Sequence, residues 1–201
     1  MKSKKYIVSV AVLVAVLVLV GVGTAFAFHP WGDYHWARTS NPFTIKVIDS
    51  VTSSWDTSLS TAILDWNESS VLNAVKEAGN DSWSSRFNCT MPKGKIRVCN
   101  YSYGNTGWLG IAQIVVNSTN HITKGRVAVN DTYFNTLTYN NPNEKLHVMC
   151  QEIGHELGLD HQSIDAISLG TCMDYFSNTG VNATSMLSTH PNTHDYEELE
   201  S

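Results

Sequence analysis

The chain has 201 residues, of which 13 are Lys or Arg and 18 are Asp or Glu, so its formal charge is −5 at neutral pH. The acidic balance excludes a basic surface for nucleic-acid binding, and the acidic run near the C-terminus is typical of a solvated chain end. The length is sufficient for one domain with a sizeable core.

The N-terminus has the order of an export signal. Three lysines within the first five residues precede an almost unbroken apolar run over residues 7–22, and an Ala-Phe-Ala sequence ends at Ala27. This order predicts a signal peptide over residues 1–27, cleaved after Ala27. The alternative is an uncleaved membrane anchor, because the run is only slightly shorter than the ~20 residues that span a bilayer. Both interpretations place residues 28–201, a single domain, outside the cytoplasm in a secreted or membrane-anchored protein.

Hydrophobic periodicity predicts alternating strands and helices after residue 40. Residues 43–48 alternate apolar and polar side chains as a strand does, and apolar residues from Leu59 to Trp66 recur at helical spacing. Residues 71–75 are either a second strand or a continuation of that helix. Further predicted elements are strands at residues 95–99, 109–116 and 126–130 and a second long helix over residues 143–157.

Four cysteines in an exported domain predict two disulfides. Of the three pairings, we favour Cys89 with Cys99 and Cys150 with Cys172, and the alternative is that the thiols are free and buried. The second of these bonds would connect the second long helix to the segment that begins at Cys172.

The second long helix carries a pattern that is typical of a metal site. Gln151 and His155 are one helical turn apart, so both side chains can reach a common ion. Glu152 leans to the side, where a carboxylate can accept a proton from an attacking water. Gly158 can adopt the left-handed conformation that ends a helix, which would let His161 return as a third ligand. The alternative is an ordinary amphipathic helix whose polar side chains face water.

This pattern, followed by Thr171-Cys172-Met173-Asp174-Tyr175, resembles the metzincin clan of zinc peptidases, and its matrixin-like branch most of all. In that clan, a tight turn places a methionine beneath the metal. The resemblance covers most of residues 28–201 and implies an α+β, zincin-like fold. Such a fold has a mixed five-stranded sheet, a long first helix, an active-site helix, a methionine turn and a short C-terminal helix. The resemblance also implies a Zn²⁺ cofactor bound by His155 and His161, with Glu152 as general base.

The chain departs from the family pattern at Gln151, where the motif has histidine. We predict that its neutral amide oxygen replaces the imidazole as a weaker metal ligand. Tyr175 matches a position that supplies an extra hydroxyl ligand or a transition-state donor in some metzincins, and the alternative is a tyrosine packed in the turn. His147 cannot substitute, because it lies ~12 Å along the helix from His155.

A second pair of histidines, His190 and His194, has the four-residue spacing of a possible ligand pair. Pro191 and Asn192 between them favour instead a loop that leads into a short terminal helix. We therefore do not expect this pair of histidines to bind a metal.

The resemblance implies an exported zinc metalloendopeptidase that hydrolyses peptide bonds. By the same likeness, the edge strand from Leu109 to Ile114 would bind an extended polypeptide by strand addition, and the alternative is a solvent-facing edge without a partner. We expect a monomer. The rival function is a non-catalytic extracellular binding module with a degenerate metal site. The presence of Glu152 favours the enzyme, because a metal-binding scaffold needs no base beside its ligands.

Overall fold

The computed structural model describes residues 29–201, so the predicted signal peptide or anchor lies outside the described residues. In the described part, no helix is long and apolar enough to cross a membrane. The strands are β1 (His35–Trp36), β2 (Phe43–Ser50), β3 (Leu72–Ala78), β4 (Lys95–Tyr101), β5 (Gly110–Val116) and β6 (His121–Asn130). The helices are α1 (Asp56–Trp66), α2 (Trp83–Asn88), α3 (Asp131–Phe134), α4 (Pro142–Glu156) and α5 (Thr193–Glu200).

The strands form one mixed sheet in the order β1-β6-β4-β2-β3, in which all neighbours are parallel. Strand β5 is antiparallel and pairs only with β6 among the described strands, so it forms an edge. This architecture confirms the predicted α+β fold class. The sheet has six strands and not the predicted five, because β1 adds to β6 where His35 pairs with His121. A two-residue strand carries no periodicity that a sequence analysis could detect.

Helices α1 and α4 contact each other and contribute much of the core. As the spacing predicts, α1 buries Leu59, Ala62, Ile63 and Trp66. Residues 71–75, for which the sequence allowed either a strand or a continuation of α1, belong mainly to the strand β3. The side chain of Asn67, the residue that follows α1, bonds to this strand. Its amide donates to the carbonyl of Ala74 (2.9 Å) and accepts from the N–H of Ala74 (2.6 Å).

The segment between β3 and β4 contains the short helix α2. Ser82 caps it by accepting a hydrogen bond from the N–H of Ser85, and none of its residues is buried. Because α2 buries no apolar face, hydrophobic periodicity does not reveal it. The Cys89–Cys99 disulfide connects the end of α2 to β4 and confirms the first predicted pairing.

The second disulfide, Cys150–Cys172, confirms the other predicted pairing and connects α4 to the methionine turn, residues 171–175. Met173 is fully buried beneath α4. A Cβ atom on Gly154 would overlap the Sδ atom of Met173 and would lie 2.7 Å from Cζ2 of Trp66. The missing side chain at Gly154 therefore lets the turn, α4 and α1 pack in direct contact.

We predict that Gly154→Ala lowers the free energy of unfolding by about 1–3 kcal/mol, because the added methyl group overpacks the core. Urea unfolding of the parent chain and the variant would measure this loss. Alanine normally stabilises a helix interior by about 1 kcal/mol relative to glycine, so a more stable variant would contradict the contact with Met173.

Candidate metal centre

Helix α4 positions Gln151, Glu152 and His155, and the chain then reverses at Gly158. The helix begins with Pro142 after the cap Asn141, whose side chain accepts from the N–H of Glu144. Gly158 has φ of +101°, and a Cβ atom there would overlap the carbonyl oxygen of Tyr34. Only glycine fits this conformation and this close approach.

The reversal brings His161 back against His155. Their Nε2 atoms are 3.1 Å apart, and their rings meet edge to face with centroids 4.5 Å apart. Nδ1 of His155 donates to the carbonyl of Leu159 at 2.7 Å. Nδ1 of His161 lies 3.3 Å from a carboxylate oxygen of Asp160. In both rings, Nδ1 has a partner that accepts a proton, which leaves the lone pair on Nε2.

The electrostatics of the pair favour a cation between the two rings. Burial, together with the neighbouring His161, lowers the pKa of His155 to about 4, and burial also lowers the pKa of His161. Two neutral imidazoles with facing lone pairs repel each other unless a positive charge lies between them. Nitrogen ligands at 2.0–2.1 Å from a tetrahedral zinc ion are about 3.3 Å apart. The separation of 3.1 Å therefore fits a shared zinc ion.

The amide nitrogen of Gln151 is fully used by the methionine turn. It donates to the carbonyl of Cys172 at 3.0 Å and to the carbonyl of Asp174 at 2.8 Å. Both partners are acceptors, so the nitrogen must face the turn and the amide oxygen must lie on the other side of the group. Gln151 thus presents an oxygen, the only atom of its amide that can bind a cation, while its nitrogen fixes the side chain.

His147 lies behind Gln151 and supports the same turn. It is buried, and its Nε2 atom is 3.1 Å from the carbonyl oxygen of Asp174, which also accepts from Gln151. Its Nδ1 atom is 3.2 Å from Oδ1 of Asn178. His147 is therefore a structural neighbour of the turn, in agreement with its predicted exclusion from the metal ligands.

Glu152 lies between α4 and the edge strand β5. It is buried, and this burial raises its pKa to about 8, although a hydrogen bond from the backbone of Ala112 acts in the opposite direction. A Cβ atom on Gly110 would lie 2.7 Å from Oε1 of Glu152. The close approach of strand and carboxyl group therefore depends on a glycine at the start of β5.

The cleft beside these residues has a volume of about 660 Å³. Its lining includes every residue that the sequence assigned to the site: Gln151, Glu152, His155, His161 and Tyr175. Residues 109–112 of the predicted substrate strand border it as well. Tyr175 is 48% exposed, and its ring centroid lies 4.4 Å from that of His161. The tyrosine is thus a cleft residue and is not packed in the core.

Two residues that lie near the site were not predicted from the sequence. The ring of Trp31 lies 5.8 Å from that of His155, and nothing in the N-terminal segment signals this contact. Glu156 is fully buried, and its Oε1 atom accepts from the N–H of Gln113 at 3.0 Å. Its carboxyl group occupies the space that a Cβ atom on Gly125 would need. Glu156 lies four residues after Glu152 on α4, and this spacing is the feature of the sequence that could have indicated it.

The two later histidines lie apart from this site. Nδ1 of His190 is 2.7 Å from a carboxylate oxygen of Asp65. His194 belongs to α5, and its ring lies 5.0 Å from that of His29.

Comparisons with known proteins identify a similar solved structure but no matching family. No protein-family model matches the sequence, and no curated protein matches it either. Among solved structures, the chain is similar to high choriolytic enzyme 1, a hatching enzyme zinc-protease from the medaka fish Oryzias latipes. The match has 12% identity and a TM-score of 0.44, and it covers 83% of this chain and 92% of that chain.

We predict that Gln151→Glu lowers the free energy of unfolding of the metal-free chain by about 1–3 kcal/mol at neutral pH, because a carboxylate oxygen would face two carbonyl oxygens. The folded state would favour the protonated carboxyl group, which can still donate, so its pKa would be raised. The loss of stability should therefore be small below the ordinary glutamate pKa of about 4.3, should grow as the pH rises from there to the raised pKa, and should be constant above it.

The matched control is Gln113→Glu. The side-chain oxygen of Gln113 accepts from Nε of Arg126 at 2.7 Å, so a carboxylate there keeps its donor. Urea unfolding in the presence of a chelator would compare both variants with the parent chain. Equal stability of the two variants at neutral pH would show that the amide nitrogen of Gln151 does not hold the methionine turn.

Proposed function

We propose that residues 28–201 form a secreted zinc metalloendopeptidase that hydrolyses peptide bonds. The observation that carries the proposal is the pair of Nε2 atoms of His155 and His161, 3.1 Å apart, beside a buried carboxyl group in an open cleft. Two disulfides in residues 29–201 suit an oxidising compartment, which supports export.

The proposed zinc ligands are His155, His161 and the amide oxygen of Gln151. All three groups are neutral, so replacing an imidazole by an amide leaves the charge of the site unchanged. A zinc ion bound there would supply Lewis acidity, which lowers the pKa of water and polarises a carbonyl group. The amide oxygen is a harder and weaker donor to zinc than imidazole, so we expect a lower affinity than a three-histidine site would have.

Glu152 is the proposed general base. It accepts a proton from the attacking water and transfers it to the leaving amine, which requires a carboxyl group whose pKa lies near the working pH. Burial raises its pKa to about 8, and a nearby cation would lower this value again. Tyr175 is exposed in the same cleft, and we propose that its hydroxyl group donates to the oxygen on which negative charge develops.

The proposed substrate is an extended polypeptide that pairs with β5. The carbonyl of Leu109 accepts from the N–H of Asn130, so Leu109 directs its backbone groups toward β6. Backbone groups alternate in direction along an antiparallel strand. Gly110 and Ala112 therefore direct theirs away from β6, and both residues line the cleft. The N–H of Ala112 is bonded to Glu152, so the backbone groups of Gly110 and the carbonyl of Ala112 remain for a peptide. Main-chain hydrogen bonds to this edge would hold a peptide with little dependence on its side chains.

We predict that Glu152→Gln retains zinc but lowers the rate of cleavage at least ~100-fold, because the amide cannot accept the proton. The assay is cleavage of an unstructured protein by the zinc-loaded chain, with chelated protein as a blank. Glu68→Gln, at an exposed carboxyl group outside the cleft, is the control. An unchanged rate in the zinc-loaded variant would remove Glu152 from the mechanism. Zinc binding without any cleavage by the parent chain would favour a non-catalytic binding module.

A second prediction concerns ligation by Gln151. Gln151→His should tighten zinc binding, since imidazole is the better donor, whereas Gln151→Ala should weaken it at least ~10-fold because a ligand is lost. Competition with a chromophoric chelator would give the three affinities. If the parent chain and both variants bound zinc equally, Gln151 would not be a ligand.

A further inference from the structure

A second group of metal-binding side chains lies away from the cleft. Within residues 29–201, His29, His194 and Glu198 are the three residues of this kind that offer ligand atoms within 4.8 Å of one another. His194 and Glu198 are one turn apart on α5, and His29 comes from the segment that precedes β1. The group therefore connects the two ends of the described chain.

His29 is oriented so that one nitrogen faces this group. It is 8% exposed, and its Nδ1 atom lies 2.7 Å from the carbonyl oxygen of Asp160. A carbonyl can only accept, so Nδ1 carries the proton and Nε2 has the lone pair. This buried Nε2 atom has no hydrogen-bond partner, although Oδ1 of Asp195 is 3.6 Å away. A histidine that donates through one nitrogen to a carbonyl is the usual orientation for metal binding through the other.

Glu198 presents a second buried polar atom without a hydrogen-bond partner, its Oε2. The side chain is 7% exposed, and burial of an unpaired carboxylate oxygen is costly. Asp195 offers Glu198 no donor, because it is itself an acceptor from Thr171, from Gln162 and from the N–H of Asn192 in the capping box that begins α5. A cation would satisfy both buried atoms at once.

We propose that His29, His194 and Glu198 bind a zinc ion in a second site, separate from the cleft. Two imidazoles and one carboxylate are a common zinc ligand set, and water can complete the tetrahedron. Ligand atoms of a tetrahedral zinc site are about 3.3 Å apart, and those of the three groups lie within 4.8 Å of one another, so side-chain rotations that close each separation by at most about 1.5 Å bring the groups together. Asp195 adds a further carboxylate facing the site at the 3.6 Å distance from His29.

The position of this site gives it a structural role. The segment that carries His29 runs along the reversal after α4, with the N–H of Trp31 donating to Gly158 and the N–H of Asp160 donating to His29. The N–H of His161 in turn donates to the side chain of Asp160. A zinc ion at His29 would thus hold α5, the N-terminal segment and the loop before His161 together.

The experiment uses the chain with the cleft histidines removed by the double substitution His155→Asn/His161→Asn, so that it tests the second site alone. We expect this protein to retain about one zinc ion per chain after dialysis and to gain about 5 °C or more in Tm when zinc is added to the metal-free form. Adding Glu198→Gln or His194→Gln to this background should remove the bound zinc and the gain in Tm. Adding Glu197→Gln, at an exposed carboxyl group of the same helix, should leave both unchanged.

The two zinc proposals fail in different ways. If the double variant binds no zinc while the parent chain binds one ion, the second site does not exist and the cleft site stands. If the double variant and the parent chain both bind one ion that Glu198→Gln removes, the second site stands and the cleft site fails. Retention of zinc by the double variant after both Glu198→Gln and His194→Gln would also overturn the proposed ligand set.

Discussion

The attachment of α4 to the methionine turn is the constraint on which the site depends. Three different interactions act within five residues of the helix: the Cys150–Cys172 disulfide, the hydrogen bonds from Gln151 to two turn carbonyls, and the contact of Gly154 with Met173. Each one alone would leave the helix free to rotate or slide on the turn. Together they fix the rotation of α4, and hence the direction in which His155 and Glu152 project into the cleft.

Gln151 can serve both the turn and the proposed metal site, because a primary amide has a donor end and an acceptor end. The donor end is bound to the carbonyls of Cys172 and Asp174, and the acceptor end remains for a cation. A neutral imidazole at this position could offer one nitrogen to a metal and only one proton to the turn. In the proposed zinc site, the glutamine would be a weaker metal ligand than histidine, but its amide nitrogen makes two hydrogen bonds to the turn where an imidazole could make one.

The sequence predicted the fold class, both disulfides and the main elements, since these leave strong local patterns. Alternation along residues 43–48 and the helical spacing from Leu59 to Trp66 report burial directly. The placement of Gln151, His155 and His161 in one cleft followed from helix periodicity and the reversal at Gly158. What escaped prediction lacks such patterns: β1 is too short, α2 buries no face, and Trp31 and His29 reach their neighbours only through tertiary contacts. The roles of the site residues remain proposals, because a pattern does not measure metal binding or catalysis.

The contact between Glu156 and Gly125 has a consequence for how this sequence can vary. The carboxyl group fills the volume of the missing side chain on β6, so the two residues, 31 positions apart, form one complementary shape. A side chain can enter at Gly125 only if the carboxyl group of Glu156 moves or Glu156 becomes smaller, and a smaller residue at position 156 leaves a hole that glycine cannot fill. Helix α4 thus restricts the residue type on a strand far outside the motif, and a substitution at residue 125 calls for a compensating change at residue 156.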